Sequence, residues 1–144
     1  MEKTVLKGKK VVGGKVSGIA IVSHEPISFI GGLDPKTGYV TEKGHELEGQ
    51  NISGKILVYP TGKGSTGGSY RIYEMVYQKT APKAFILVDR DPTSIIGCIM
   101  GNIPVVDQLD QDPTEVIESG DYLEVDADNG VVTITKKVKE NLYE

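Results

Sequence analysis

The sequence predicts a small α/β domain with a parallel βαβ unit at its centre, and three observations carry that prediction. First, an apolar run, Lys55-Ile56-Leu57-Val58-Tyr59, leads through a glycine-rich turn into a segment with helical periodicity. A second apolar run, Ala84-Phe85-Ile86-Leu87-Val88, then completes a strand, helix, strand unit over about thirty residues. Second, alternating runs at Tyr122-Leu123-Glu124-Val125-Asp126 and Val131-Val132-Thr133-Ile134-Thr135 flank Asn129-Gly130, the strongest short-range hairpin signal in the chain. Third, the 144 residues fit one domain spanning 1–144, large enough to bury roughly two-thirds of the surface its unfolded chain exposes.

Composition narrows the function classes. A net charge of −4 and a pI near 5.2 oppose a nucleic-acid coat, which needs a basic face. The basic start (Lys3, Lys7, Lys9, Lys10, Lys15) is broken by Gly and Val and carries no aromatic side chain for base stacking, so it reads as a solvated strand face. The single Cys98 cannot form an internal disulfide, and His24 and His45 are too far apart for Cys/His metal-ligand spacing. Metal ligands are therefore expected to be none, and Cys98 is expected to be a core thiol. No apolar run approaches a membrane span and no export signal opens the chain, so a cytoplasmic location is expected.

Along the chain, Val5 to Val12 gives way to Lys15-Val16-Ser17-Gly18-Ile19-Ala20-Ile21-Val22, whose continuous apolar end suits a strand buried on both faces. Ile27-Ser28-Phe29-Ile30 alternates briefly and stops at a second glycine-rich loop, Gly31-Gly32-Leu33-Asp34-Pro35-Lys36-Thr37-Gly38, and residues 44–51 form an irregular excursion. Between Ser69 and Lys79, Ile72, Met75, Val76 and Lys79 make a helical stripe flanked by Tyr73 and Tyr77. Asp91-Pro92-Thr93 begins a short helix-like segment that runs through Met100, and Ile103-Pro104-Val105-Val106 supplies a short strand, with Pro104 suited only to its edge or beginning. Asp112 and Pro113 read as the N-cap and first residue of one helical turn, and the charged tail, 136–144, as a frayed end or surface helix.

The turn Tyr59-Pro60-Thr61-Gly62-Lys63-Gly64-Ser65-Thr66-Gly67-Gly68-Ser69 organises the rest. Its four glycines let backbone approach a ligand, and its four Ser and Thr hydroxyls (Thr61, Ser65, Thr66, Ser69) lead into the opening of a helix, whose N–H groups favour an anion. Several uses are open on spacing alone. Gly62-Lys63-Gly64-Ser65-Thr66-Gly67 matches G-x-G-x-x-G, with Asp89 or Asp91 as the ribose acid of a dinucleotide site, but it lies mid-chain with too few strands after it. A triphosphate loop fails, because Lys63 is followed by Gly64 and not by Ser or Thr. Ser65 could be a functional hydroxyl, or Ser65 or Thr66 could cap the helix. A stand-alone anion-binding domain is the reading of another class.

Gly62-Lys63-Gly64-Ser65-Thr66-Gly67-Gly68-Ser69, together with the Gly31 to Gly38 loop, resembles the small subunit of the aconitase X family, and the resemblance covers nearly the entire chain. It implies a swivelling β/β/α domain similar to the fourth domain of aconitase, here a separate polypeptide that closes over a large subunit. It further implies a hydro-lyase active only with that subunit, an iron–sulfur cluster held there and not by this chain, and a small anionic hydroxy-acid substrate. Two substrates come with the family: (R)-5-phosphomevalonate, dehydrated to trans-anhydromevalonate 5-phosphate in isoprenoid biosynthesis, and cis-3-hydroxy-L-proline. The short, free-standing, Lys-rich chain resembles the archaeal form that acts on the first. By the same resemblance Ser65 takes the role of the serine alkoxide that accepts a proton, and Thr66 stands at the second serine. Gly67 occupies the place of the substrate-binding arginine of aconitase proper. Substrate contacts are then expected from Lys63, Gly64, Thr66, Gly67 and Asp34, with Arg71 nearby, while His24 and His45 are expected to satisfy loop hydrogen bonds.

Overall fold

Strands buried on both faces dominate the centre of the molecule, and their alternation builds two cores. The computed structural model describes residues 3–64 and 67–138. The elements are β1 (Lys3–Lys7), β2 (Lys9–Val12), β3 (Lys15–Val22), β4 (Ile56–Tyr59), α1 (Gly68–Tyr77), β5 (Ala84–Leu87), α2 (Pro92–Gly101), β6 (Val105–Asp107), α3 (Pro113–Val116), β7 (Tyr122–Asp126) and β8 (Val131–Thr135). They form an eight-stranded sheet in the order β1-β8-β7-β3-β4-β5-β6-β2. The β3-β4-β5-β6 half is parallel, as the central βαβ unit predicts, and the pairs made by β1, β2, β7 and β8 are antiparallel.

The N-terminal stretch closes this sheet on itself. Only Gly8 separates β1 from β2, yet β1 pairs with β8 and β2 with β6, at opposite ends of the order. Gly8 donates its N–H to the Gly130 carbonyl at 2.8 Å, and a Cβ built on it would lie 2.5 Å from the Asp107 carbonyl oxygen. A side chain there would separate the strands that the junction joins.

Inside the closed sheet, Ala20, Val22, Ile56, Val58, Ala84, Ile86 and Val106 pack with Leu6, Leu123, Val125, Val132 and Ile134. The intervening residues Ile21, Leu57, Tyr59, Phe85, Leu87 and Val105 face outward onto a second core completed by Ile72, Met75, Cys98 and the long 23–55 excursion (Ile27, Phe29, Leu33, Val40, Leu47, Ile52). Each large aliphatic side chain buried this way contributes about 1.5–3 kcal/mol.

Helices α1 and α2 lie side by side on this second core. Gly97 makes that approach close, since a Cβ there would fall 2.9 Å from both the Ser69 carbonyl oxygen and Ile72 Cβ. α2 carries the N-cap that Asp91-Pro92 announces, and it stops at Asn102 in the left-handed conformation, φ 57°.

Several local expectations change. Of the Ile27 to Ile30 run, only Ile27 bridges, in parallel to Gly62, because Gly31 and Gly32 turn the chain away. α1 ends before Lys79, which takes φ 64°, and beside the buried Ile72 and Met75 the side chains of Tyr73 and Tyr77 are exposed. The Asn129-Gly130 hairpin has a four-residue connection, since Asp126 pairs directly with Val131. Residues 136–138 have no regular structure, and the rest of the tail, 139–144, lies outside the described residues.

Candidate functional site

The glycine-rich turn leaves the C-terminal end of β4 and enters α1, and two separate parts of the chain hold it. On one side Ile27 lies parallel to it: Ile27 donates to the Thr61 carbonyl at 3.1 Å, and Lys63 donates to the Ile27 carbonyl at 2.9 Å. On the other side stands Asp91, whose Oδ2 accepts the Gly62 N–H at 3.0 Å and the Ser94 N–H at 3.2 Å. A Cβ on residue 62 would fall 2.5 Å from that same oxygen, so only glycine fits. Beyond the turn, Ser69 Oγ donates to the Thr93 carbonyl at 2.7 Å and ties the start of α1 to the start of α2.

Asp91 is part of a short buried relay. The Ser94 hydroxyl donates to Asp91 Oδ2, and since that hydroxyl has one proton, Tyr59 OH must donate to Ser94 Oγ. Burial pushes the Tyr59 phenol well above its ordinary range, which keeps it a donor despite its bond to Ser94. The end of β4, the turn and the cap of α2 thus share one carboxylate. In the sequence Asp91 stands as a possible ribose acid and at the start of a helix-like segment; nothing local announces its bond to Gly62, 29 residues away.

The space beside the turn is an open cleft of about 370 Å³ lined by Ser28, Gly31, Gly32, Glu42, Lys63 and Gly64. That volume is at the lower end of those that hold small ligands. Gly64 has φ +93°, a left-handed conformation that favours glycine, and Ser28 Oγ would lie 3.2 Å from a Cβ there. Lys63 Nζ bonds Glu42 Oε2 at 2.7 Å across the cleft and is still half exposed. A smaller cavity of about 70 Å³ continues inward past Gly62, Gly68 and Thr93 to Asp91.

The predicted site residues separate accordingly. Lys63 and Gly64 line the cleft with one end of the second glycine-rich loop. Asp34, in the middle of that loop, uses Oδ1 to accept the Lys36 N–H at 2.9 Å, and its carbonyl accepts the Gly38 N–H at 2.8 Å, which is turn chemistry. Gly67 is the N-cap of α1, and its carbonyl accepts the Arg71 N–H at 3.1 Å. Arg71 pairs with Glu74 and donates to the Leu33 carbonyl at 3.3 Å, bracing the second loop against α1. Ser65 and Thr66 lie outside the described residues. Glu42 and Ser28 were not singled out in the sequence, and only the fold brings them to Lys63.

His24 and His45 do bond to loops. His24 Nδ1 meets Glu46 Oε2 and Nε2 meets the Thr114 carbonyl, both at 2.9 Å, while His45 Nε2 bonds the Pro26 carbonyl at 3.0 Å. The bond to Glu46 is the main cause of a raised His24 pKa. Among the described residues no group of His, Cys, Asp and Glu could hold a metal ion, and Cys98 is fully buried, its thiol pushed up by that burial. The described residues, with Cys98 as their single thiol, do not fit an iron–sulfur cluster. No helix of the described residues is long and apolar enough to cross a membrane.

A closed mixed sheet carrying two helices on one face, with a braced glycine-rich turn at their common N-terminal end, defines a β/β/α domain of the swivel class. Residues 5–134 match the family model of the aconitase X swivel domain, and the chain belongs to that family. It is 45% identical over 130 residues to the phosphomevalonate dehydratase small subunit of Methanocella arvoryzae, covering 90% of this chain and 98% of that one. The phosphomevalonate dehydratase small subunit of Thermococcus kodakarensis is 48% identical over 129 residues, 90% of this chain and 95% of that one. Among solved structures, the crystal structure of Thermococcus kodakaraensis aconitase X in its holo-form superposes with a TM-score of 0.87 at 47% identity, covering 92% of this chain and 99% of that chain.

Proposed function

We propose that this chain is the small subunit of a two-subunit hydro-lyase that dehydrates (R)-5-phosphomevalonate to trans-anhydromevalonate 5-phosphate in isoprenoid biosynthesis. The observation that carries this is similarity at 45–48% identity, over nine-tenths of the chain, to relatives named phosphomevalonate dehydratase small subunit. The braced glycine-rich turn supports it physically.

Ser65 is the proposed proton acceptor. It takes a proton from the carbon next to the one that bears the hydroxyl group, that group leaves, and a carbon–carbon double bond forms. A positioned base typically contributes about 10²–10⁴-fold. Serine needs an environment that stabilises its alkoxide, and the turn's amides at the positive end of α1 are the local source of such stabilisation. Lys63, Gly64, Thr66 and Gly67 are proposed to meet the anionic substrate, with Lys63 exchanging Glu42 for a substrate oxygen. Asp34 contributes by holding the turn of the second loop. In this reading activity needs a larger subunit, which supplies the remaining substrate contacts and any iron–sulfur cluster.

The test is to co-express the chain with its larger subunit and assay (R)-5-phosphomevalonate and cis-3-hydroxy-L-proline anaerobically. Turnover of the first by the pair, and by neither chain alone, is the expected outcome. Turnover of the second alone would overturn the substrate assignment, and activity of the isolated chain would overturn the two-subunit arrangement.

A further inference from the structure

We propose that the outward face of the α1–α2 pair is the surface on which the larger subunit docks, an inference that rests on the two-subunit reading above. On α1, Tyr70, Tyr73 and Tyr77 are exposed, Tyr70 and Tyr77 by 72% and 81%; on α2, Ile96, Ile99 and Met100 are exposed. The contacts between the helices make these one patch. Gly97 touches Ile72, and Gly101 touches Val76. Tyr73 and Tyr77 each follow the Ile72 and Val76 row by one position, and Ile96 and Met100 each precede Gly97 and Gly101 by one. The two exposed rows therefore border the same seam from either side.

Size selects the occupant. With about 150–250 Å² for each large side chain, the six expose roughly 700 Å², more than the ~300–600 Å² usually left on a monomer and close to the ~800 Å² that each partner contributes to a stable interface. The composition, three Tyr, two Ile and one Met, is that of an interface centre. The neighbouring charges, Arg71 and Glu74, are already paired to each other at 3.2 Å. On α1 the patch begins at Tyr70, in the first turn of the helix that the glycine-rich turn enters, so a protein seated there lies next to the turn. The rival surface, a depression of about 560 Å³ on the outside of β3, β7 and β8, is lined by Lys15, Glu124 and Asp126 around Tyr122. Covering it would desolvate charges, one of which, Glu124, is already paired with Lys3.

The test measures binding of the full chain to its larger subunit by titration calorimetry and light scattering, without substrate, so the result does not depend on Ser65. Tyr77→Glu and Ile99→Glu are compared with Ile19→Glu on the sheet face, each checked for an unchanged circular-dichroism melt. The helix-face variants should each weaken binding at least about 30-fold, as for a hot-spot residue, and Ile19→Glu by less than about 3-fold. Helix-face variants that bind like the wild type overturn the proposal, as does loss of binding in Ile19→Glu. Self-association of the wild-type chain that Tyr77→Glu abolishes, with binding to the larger subunit intact, assigns the face to a second copy and overturns it too. Absence of any complex with the wild-type chain overturns the two-subunit reading itself, whereas a complex that tolerates the substitutions sinks only this face.

Discussion

Replacing Asp91 separates a bracing role from a merely decorative one. Its Oδ2 accepts from the Gly62 N–H, the Ser94 N–H and the Ser94 hydroxyl, and Tyr59 OH is aligned behind that hydroxyl. Asp91→Ala removes an N-cap, worth about 1 kcal/mol, and strips its partner from a part-buried N–H and a buried hydroxyl, at about 1–3 kcal/mol. Together these give a loss of about 2–4 kcal/mol. Asp91→Asn can keep one oxygen in the same place, so it forfeits mainly the charge assistance and costs about 1 kcal/mol. For a domain of this size each kcal/mol moves the melting temperature by roughly 3 °C. Differential scanning calorimetry of the isolated chain should therefore show a drop of about 6–12 °C for the alanine variant and about 3 °C for the asparagine variant. In the assembled enzyme Asp91→Asn should lower kcat more than it raises KM, because it loosens the turn that holds Ser65 while leaving Lys63 in place. An alanine variant that melts within about 2 °C of the wild type would refute the bracing role.

Other outcomes follow from the same geometry. Gly97→Ala drives a methyl group into Ser69 and Ile72 at 2.9 Å, and overpacking of this kind costs about 1–3 kcal/mol, readable in urea denaturation as a lower midpoint with an unchanged slope. Lys63→Ala should raise KM by about tenfold with kcat little changed, while Glu42→Gln, which frees Lys63, should lower KM. The His24–Glu46 pair sets a pH dependence. His24 is raised, chiefly by its bond to Glu46, so its contribution is fully present below its unfolded pKa near 6.5 and is lost as pH rises through the folded value. Glu46 is lowered: its burial opposes this, but the bonds from His24 outweigh it, so its contribution is lost only as pH falls through its folded value. The melting difference between wild type and His24→Ala should then shrink as pH rises above about 6.5. Because His24 is half exposed, that difference should stay under about 1 kcal/mol.

Much of the fold was legible because burial on both faces leaves a direct trace. Ile56-Leu57-Val58-Tyr59 and Ala84-Phe85-Ile86-Leu87 are continuous apolar runs because alternate residues feed separate cores. Asp112-Pro113 was readable as a cap, and Asp91-Pro92 as the start of a helix, because both are chemistry between near neighbours. Closure of the sheet was not legible: nothing in residues 3–12 says that one stretch, bent at Gly8, must pair with β8 and then with β6. The exposure of Tyr73 and Tyr77 was missed for a different reason, since periodicity locates an apolar stripe but does not say whether this chain or another covers it. At the site, the turn and its hydroxyl residues stood out in the sequence. The Lys63–Glu42 pair and the Asp91–Gly62 bond join residues 21 and 29 positions apart, and only the folded chain brings them together.

The most direct measurement is the rate of the reconstituted two-subunit enzyme on (R)-5-phosphomevalonate with Ser65→Ala in place of the wild-type small subunit. If Ser65 accepts the proton, kcat falls by about 10²–10⁴-fold while binding to the larger subunit and KM change little. A variant that turns over at the wild-type rate would contradict the assignment and move the base to the other subunit.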